Sequence, residues 1–74
     1  MRRRLIDIAR ELYEKAKREY GDRPYRKVEL VRLIVRERKI NINTAYHEIR
    51  SLVFAGYLEE QSDGRVVFNI PKED

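Results

Sequence analysis

The sequence predicts a mostly α-helical domain in which three helices are followed by a small antiparallel β-hairpin. Three segments between Arg2 and Gly56 carry apolar residues at three- and four-residue steps, the spacing of one helix face. After Gly56 the apolar spacing changes to every second residue, and Ser62-Asp63-Gly64 separates two short alternating runs. With 74 residues the chain has room for one domain, spanning residues 1–74, with a small core.

The first helix is predicted from about Arg2 to Tyr20. Its apolar face consists of Leu5, Ile8, Ala9, Leu12, Ala16 and Tyr20. Gly21-Asp22 ends this helix, and Pro24 prevents its continuation because proline has no backbone N–H. Residues 1–4 form a basic N-terminal arm, since three arginines at a helix N-terminus oppose the helix dipole.

The second helix is predicted from about Lys27 to Arg38, after a brief extended stretch at Tyr25 and Arg26. Its inward residues are Leu30, Val31, Ile34 and Val35. Its outer positions are dominated by the cations Arg32, Arg36, Arg38 and Lys39. Only Glu29 and Glu37 are available to pair with them locally, so most of this positive charge is expected to be unmatched within the helix.

The third helix follows a break at Lys39 to Asn41. Asn41 is the predicted N-cap, because its side chain can accept a hydrogen bond from a free backbone amide, and Ile40 can pack on Ala45. The buried stripe is Ala45, Ile49, Leu52 and Val53, and Gly56 ends the helix. The opposite face carries hydrogen-bonding side chains, namely Asn43, Thr44, Tyr46, His47 and Arg50.

The hairpin is predicted from two strands, Tyr57 to Gln61 and Arg65 to Ile70, joined by Ser62-Asp63-Gly64. Val66, Phe68 and Ile70 alternate along the second strand, so one face of the hairpin covers the helices. Residues 71–74 form a short polar tail.

The net charge of +4 is unevenly distributed along the chain. Residues 1–22 carry +2, residues 23–50 carry +5 and residues 51–74 carry −3. An anionic partner is therefore attracted to the segment that contains the second and third helices.

Composition excludes several classes of protein. No apolar run approaches the roughly 20 residues of a membrane span, and the absence of cysteine excludes disulfides and thiolate metal sites. These features favour a cytoplasmic protein. Abundant Arg, Lys, Glu, Ile, Val and Tyr with a single Gln resemble a thermophile composition.

The sequence has no pattern typical of an enzyme. It contains no nucleophile–base set, no pair of carboxylates placed for acid–base catalysis and no glycine-rich phosphate loop. His47 is the single histidine, and zinc generally needs three or four ligands, so neither a metal nor another cofactor is expected.

Three groups of residues carry a resemblance to a known family. They are the Ile40-Asn41 turn, Thr44-Ala45 within the third helix, and Ile49, Leu52 and Gly56-Tyr57-Leu58 leading into the hairpin. Over nearly its whole length the chain resembles the winged-helix branch of the helix-turn-helix DNA-binding domains. The resemblance implies that the third helix enters the major groove and that the hairpin, or wing, touches the backbone or the minor groove.

Sequence-specific binding of double-stranded DNA, as a transcriptional regulator, is the function that this resemblance implies. The third-helix side chains Asn43, Thr44, Tyr46, His47 and Arg50 are the candidate contacts, because such groups read base edges or bind phosphate. Further basic candidates for DNA contact are Arg26, Lys27, Lys39 and Arg65. The arm at residues 1–4 is either a solvated terminus or a further contact to the DNA backbone.

A second interpretation is a winged-helix protein–protein interaction module of a replication or transcription complex. The contact would then be formed by the acidic hairpin, with Glu59, Glu60 and Asp63, and by exposed apolar residues such as Val67 and Phe54. The oligomeric state is open at this point. A homodimer through the first helix, using Ile6, Tyr13 or Tyr20, and a monomer are both compatible with the sequence.

Overall fold

The computed structural model describes residues 4–71, so residues 1–3 of the predicted arm and residues 72–74 of the predicted tail lie outside the described part. The elements, in chain order, are α1 (Leu5–Tyr20), α2 (Lys27–Arg38), α3 (Ile42–Ala55), β1 (Leu58–Glu60) and β2 (Val66–Phe68). The two strands form an antiparallel sheet. Three helices followed by a two-stranded wing confirm the predicted fold class and give a winged-helix-like layout.

Helix α1 begins later than the sequence predicted. The predicted start at about Arg2 is wrong, because Arg4 is extended (φ −73°, ψ 151°) and only its carbonyl joins the helix, accepting from the amides of Asp7 and Ile8. An arginine side chain has no acceptor for the free amides of a first turn. At the other end Gly21, with a φ of 88°, ends the helix as predicted.

The extended stretch before α2 pairs with the wing. The Tyr25 amide donates to the Val66 carbonyl and the Val66 amide donates to the Tyr25 carbonyl, both at 2.8 Å. The Tyr25 ring is only 1% exposed, and its hydroxyl donates to the carbonyl of Gly21 at 2.5 Å. Burial raises the pKa of Tyr25. This residue therefore fastens the start of α2 to β2.

One hydrophobic core joins all five elements. Its buried members are Ala9, Leu12, Ala16, Tyr25, Leu30, Val31, Leu33, Ile34, Ala45, Ile49, Leu52, Leu58 and Val66. Tyr25 and Leu33 belong to this core, although the apolar spacing of the sequence did not predict either of them. Val35 and Val53, both predicted to be inward, pack at the core edge and are only partly buried.

Two caps fix the limits of α3, and both were predicted. The Asn41 Oδ1 accepts from the Thr44 amide at 2.8 Å. At the C-terminal end Gly56 adopts the left-handed conformation, its amide donates to the Val53 carbonyl at 3.1 Å, and the Tyr57 amide donates to the Leu52 carbonyl at 2.9 Å. This pair of bonds is a Schellman motif. The preceding helix α2 instead ends at Lys39, a left-handed residue that is not glycine (φ 54°).

Both strands are shorter than predicted. Tyr57 does not enter β1, because its amide is bonded to the end of α3. Gln61 and Arg65 belong to the loop, which closes with a bond from the Gln61 amide to the Arg65 carbonyl at 2.8 Å. Ile70 packs on the core outside β2, and Pro71 beside it has no N–H for strand pairing.

Ion pairs connect α1 to α2. The Lys15 ammonium lies 3.1 Å from Glu11 and 3.0 Å from Glu37, and the Arg36 guanidinium lies 2.5 Å from Glu19. The hydrogen bond from Lys15 lowers the pKa of Glu37. We call Lys15, Glu19, Arg36 and Glu37 the α1–α2 ion-pair cluster.

The charge on α2 is therefore more fully matched than the sequence indicated. Arg36 pairs with Glu19 of α1, Arg38 with Glu48 of α3, and Lys27 with Glu60 of β1. The expectation that most of the α2 charge is unmatched considered only partners within the same helix. The carboxylates that neutralise these cations come from distant parts of the chain, which the local sequence pattern does not reveal. Among residues 4–71, no helix is long and apolar enough to cross a membrane.

Candidate nucleic-acid interface

The outer face of α3 is open to solvent. Because Ala45, Ile49 and Leu52 are buried in the core, the positions on the other side of the helix must point outward. The five predicted contacts Asn43, Thr44, Tyr46, His47 and Arg50 are all exposed, and Tyr46 is 40% exposed. The core thus presents these side chains together on one surface.

Three of these side chains form no hydrogen bond or ion pair within the described part of the chain. Between residues 4 and 71, no side-chain hydrogen bond or ion pair engages Asn43, His47 or Arg50. The acidic residue of the same helix, Glu48, is instead paired with Arg38, and its side chain is only 13% exposed. The outer face of α3 therefore combines the free guanidinium of Arg50 with free amide and imidazole groups. The Glu48 carboxylate of the same helix is held by Arg38 instead.

The N-terminus of α2 holds two further predicted contacts, Arg26 and Lys27. Glu29 organises this end of the helix, because it accepts from the Arg26 amide at 2.9 Å and from the Arg23 guanidinium at 2.9 Å. The bond from Arg23 lowers the pKa of Glu29. The exposed guanidinium of Arg26 makes no ion pair with a residue in 4–71, whereas the Lys27 ammonium lies 2.8 Å from Glu60.

A groove runs between α3 and the wing. It is lined by Lys27, Tyr46, Ile49, Arg50, Val53, Phe54 and Glu60. The floor is apolar, and the two cations Lys27 and Arg50 share its rim with the carboxylate of Glu60. Of the nine predicted contacts, this groove brings together Lys27, Tyr46 and Arg50.

Lys39 and Arg65 lie outside this groove. Lys39 occupies the turn between α2 and α3, is exposed, and forms no ion pair with another described residue. Arg65 lies at the tip of the wing, where its side chain is 3.8 Å from the carboxylate of Asp63 and its amide donates to the same residue. The wing thus offers one basic side chain that already has an acidic neighbour.

Phe54 and Glu60 also line the groove, although the sequence assigned them to the protein-interaction interpretation and not to the DNA contacts. Phe54 is 95% exposed, and its position four residues after Arg50 and seven after His47 was a readable signal that it faces outward. Glu60 reaches Lys27 across 33 positions of sequence, for which no local pattern gives a signal.

The residues of the protein-interaction alternative are separated. Val67 is paired with Glu59, and strand alternation places both on the face of the sheet opposite to Leu58 and Val66. Val67 is only partly buried there, whereas Phe54 lies in the groove beside Glu60. The two apolar residues therefore do not form one surface.

The predicted dimer contacts on α1 are partly engaged within the chain. Tyr13 stacks on Phe68 with ring centres 4.8 Å apart, and Tyr20 lies tilted against Tyr25 at 6.4 Å. Ile6 is partly buried. Dimerisation through this helix stays a prediction.

Residues 4–71 contain no group of three or more His, Cys, Asp or Glu side chains placed to hold a metal ion. Comparison with protein-family models, curated proteins and solved structures found no match to this chain. The candidate interface is therefore defined by the geometry and charge of the chain itself.

Proposed function

We propose that this domain binds double-stranded DNA sequence-specifically, with α3 in the major groove, and acts as a transcriptional regulator. The observation that carries the proposal is the outer face of α3, where exposed hydrogen-bonding side chains have no partner among residues 4–71. A surface helix needs only solvated polar groups. A face composed of Asn, Thr, Tyr, His and Arg is typical of a helix that reads bases and phosphates.

The dimensions of α3 suit this role. Its 14 residues make a rod about 21 Å long, and the major groove, about 12 Å wide, admits an α-helix. Arg50 can bind guanine through two hydrogen bonds, and Asn43 can bind adenine in the same way. Tyr46, His47 and Thr44 supply further donors and acceptors beside them. Base readout is therefore assigned to the outer face of α3.

Docking to the phosphate backbone is assigned to the basic residues around this face. They are Arg26, Lys27, Lys39 and Arg65. In the free protein two of these residues already form an ion pair, Lys27 with Glu60 and Arg65 with Asp63. Whether these two reach phosphate determines the number of contacts, which the salt dependence of binding measures.

The direct test is a fluorescence-anisotropy titration of a labelled random-sequence duplex at several salt concentrations. Four phosphate contacts give a slope of log affinity against log salt near −3.6, whereas two contacts give a slope of about −1.8. Either slope supports DNA binding, and its value gives the number of cations that contact phosphate. A slope near zero, or no binding at low salt, contradicts the proposal.

A second candidate function is a protein-interaction module of a replication or transcription complex. The observation that favours it is the 95% exposure of Phe54 beside the acidic wing, because an exposed aromatic residue is a typical interface anchor. The carboxylates of Glu59, Glu60 and Asp63 would repel phosphate at close range. Absence of binding in the duplex titration would favour this alternative.

A further inference from the structure

Phe54 is the most exposed of the large hydrophobic side chains in residues 4–71. Its side chain is 95% exposed, compared with 54% for Ile42 and 39% for Val28. An aromatic ring of this size gains stability when it leaves water, and here the fold of the single chain does not bury it. The position is therefore better explained by a contact that forms on binding than by a role in folding.

The direction of the Phe54 side chain is shared with the proposed base-reading residues. Phe54 follows Asn43, His47 and Arg50 at intervals of eleven, seven and four residues, so the four residues form one line along the outside of α3. Phe54 also lines the same groove as Arg50 and Tyr46. A helix that enters the major groove with Arg50 inward also brings Phe54 to the base edges.

The major groove offers one apolar group to such a side chain. The edges of guanine, cytosine and adenine present hydrogen-bond donors and acceptors there, whereas thymine adds a C5-methyl group. A phenyl ring cannot hydrogen-bond to the polar edges, and it would leave their donors and acceptors without partners. The thymine methyl group is its chemical complement.

We infer that Phe54 is a specificity-determining residue that contacts the C5-methyl group of a thymine in the major groove. The inference rests on the proposed DNA binding by α3. Phe54 lies one helical turn beyond Arg50, about 6 Å along the helix, which corresponds to roughly two base steps. The preferred site therefore contains a thymine about two steps from the guanine bound by Arg50.

The experiment begins with selection of the tightest duplex from a random pool by the wild-type chain. Each thymine of that duplex is then replaced singly by deoxyuridine, which removes only the methyl group. At one position the wild-type affinity is expected to fall about three- to fivefold, the effect of one buried methyl group. The Phe54→Ala variant is expected to bind the thymine and deoxyuridine duplexes equally at that position.

Two variants serve as controls. Ile42→Ala removes an exposed apolar side chain from the same helix about 120° away around its axis, and it is expected to keep the methyl dependence. Phe54→Leu keeps an apolar side chain at this position and is expected to keep part of the methyl dependence. Because Phe54 is almost fully exposed, its replacement should leave the thermal melting of the chain unchanged, which circular dichroism verifies.

The outcomes separate this inference from the proposed function. If the wild-type chain binds duplex but every deoxyuridine replacement affects wild type and Phe54→Ala alike, the assignment of Phe54 is wrong and DNA binding stands. If the wild-type chain binds no duplex, both are wrong. If Phe54→Ala abolishes self-association in sedimentation while methyl dependence is absent, the residue belongs to a protein interface and the assignment is overturned.

Discussion

Two charged regions of this molecule use their cations in opposite ways. In the α1–α2 ion-pair cluster, Lys15 lies 3.0 Å from Glu37 and Arg36 lies 2.5 Å from Glu19. On the outer face of α3, Arg50 has no acidic partner among residues 4–71, and the nearby Glu48 is paired with Arg38. Each region carries an exposed arginine, so the residue type alone does not distinguish them.

The difference shows how structural charge can be separated from charge that is available for binding. Exposed ion pairs contribute little to stability, typically about 0–1 kcal/mol. The carboxylate of such a pair nevertheless cancels most of the electric field that the cation alone would project into the solvent. A cation without a partner keeps its full attraction for an external anion. The pairing pattern, more than the number of basic residues, therefore locates the candidate interface.

The largest expected effect comes from truncating two side chains on the outer face of α3. The double variant Tyr46→Ala, Arg50→Ala should weaken duplex binding about 10- to 100-fold, since a base contact is worth roughly 1–3 kcal/mol. Both side chains are exposed, so thermal melting should be nearly unchanged.

Arg36→Ala is the matched control for that variant. It removes the same charge from an exposed arginine, but in the α1–α2 ion-pair cluster, where Glu19 already neutralises it. Its duplex affinity should stay within about twofold of wild type. Equal losses in both variants would mean that binding responds to net charge alone and that the two regions do not differ in function.

A smaller effect, of opposite sign, is expected from releasing a paired cation beside the groove. Glu60→Gln frees Lys27 and removes a carboxylate from the rim, so duplex affinity at low salt should rise about three- to tenfold, and the salt slope should steepen by about 0.9. Glu19→Gln makes the same change of charge in the α1–α2 ion-pair cluster and should have little effect. An unchanged affinity and slope for Glu60→Gln would remove Lys27 from the set of phosphate contacts.

The smallest expected effect concerns stability at low pH. The pKa values of Glu29 and Glu37 are lowered in the folded protein by hydrogen bonds from Arg23 and Lys15. A group whose pKa is lowered on folding stabilises the fold at pH values above its unfolded pKa of about 4.3, and this contribution is lost as the pH falls through the folded value. The melting temperature should therefore be level from pH 7 to 5 and fall below about pH 4.

The double variant Glu29→Gln, Glu37→Gln tests that assignment. It should melt at a lower temperature than wild type at pH 7, and the difference should narrow in acid, where the wild-type carboxylates are protonated as well. Melting temperatures from circular dichroism between pH 2.5 and pH 7 measure both curves. Parallel curves for the two proteins would show that other carboxylates cause the acid dependence.

The sequence predicted best where the cause of a structure is local. Asn41 and Gly56 were identified as the limits of α3 because each needs only its own chemistry and a few neighbouring residues. The limits of the strands were less predictable, because Tyr57 gives its amide to Leu52 and so cannot extend β1. The start of α1 at Leu5 depended on the conformation of Arg4, which its side chain does not dictate.

The sequence by itself determined the order of elements, the outward face of α3 and the position of the excess positive charge, because periodicity, caps and turn residues act over a few positions. Only the tertiary structure decided which cations are neutralised and which remain free. The partners of Lys27, Arg36 and Arg38 come from 33, 17 and 10 positions away and meet only when the core closes. Packing also buried Tyr25 against the wing while leaving Phe54 in solvent, since burial depends on what the whole fold places beside a ring.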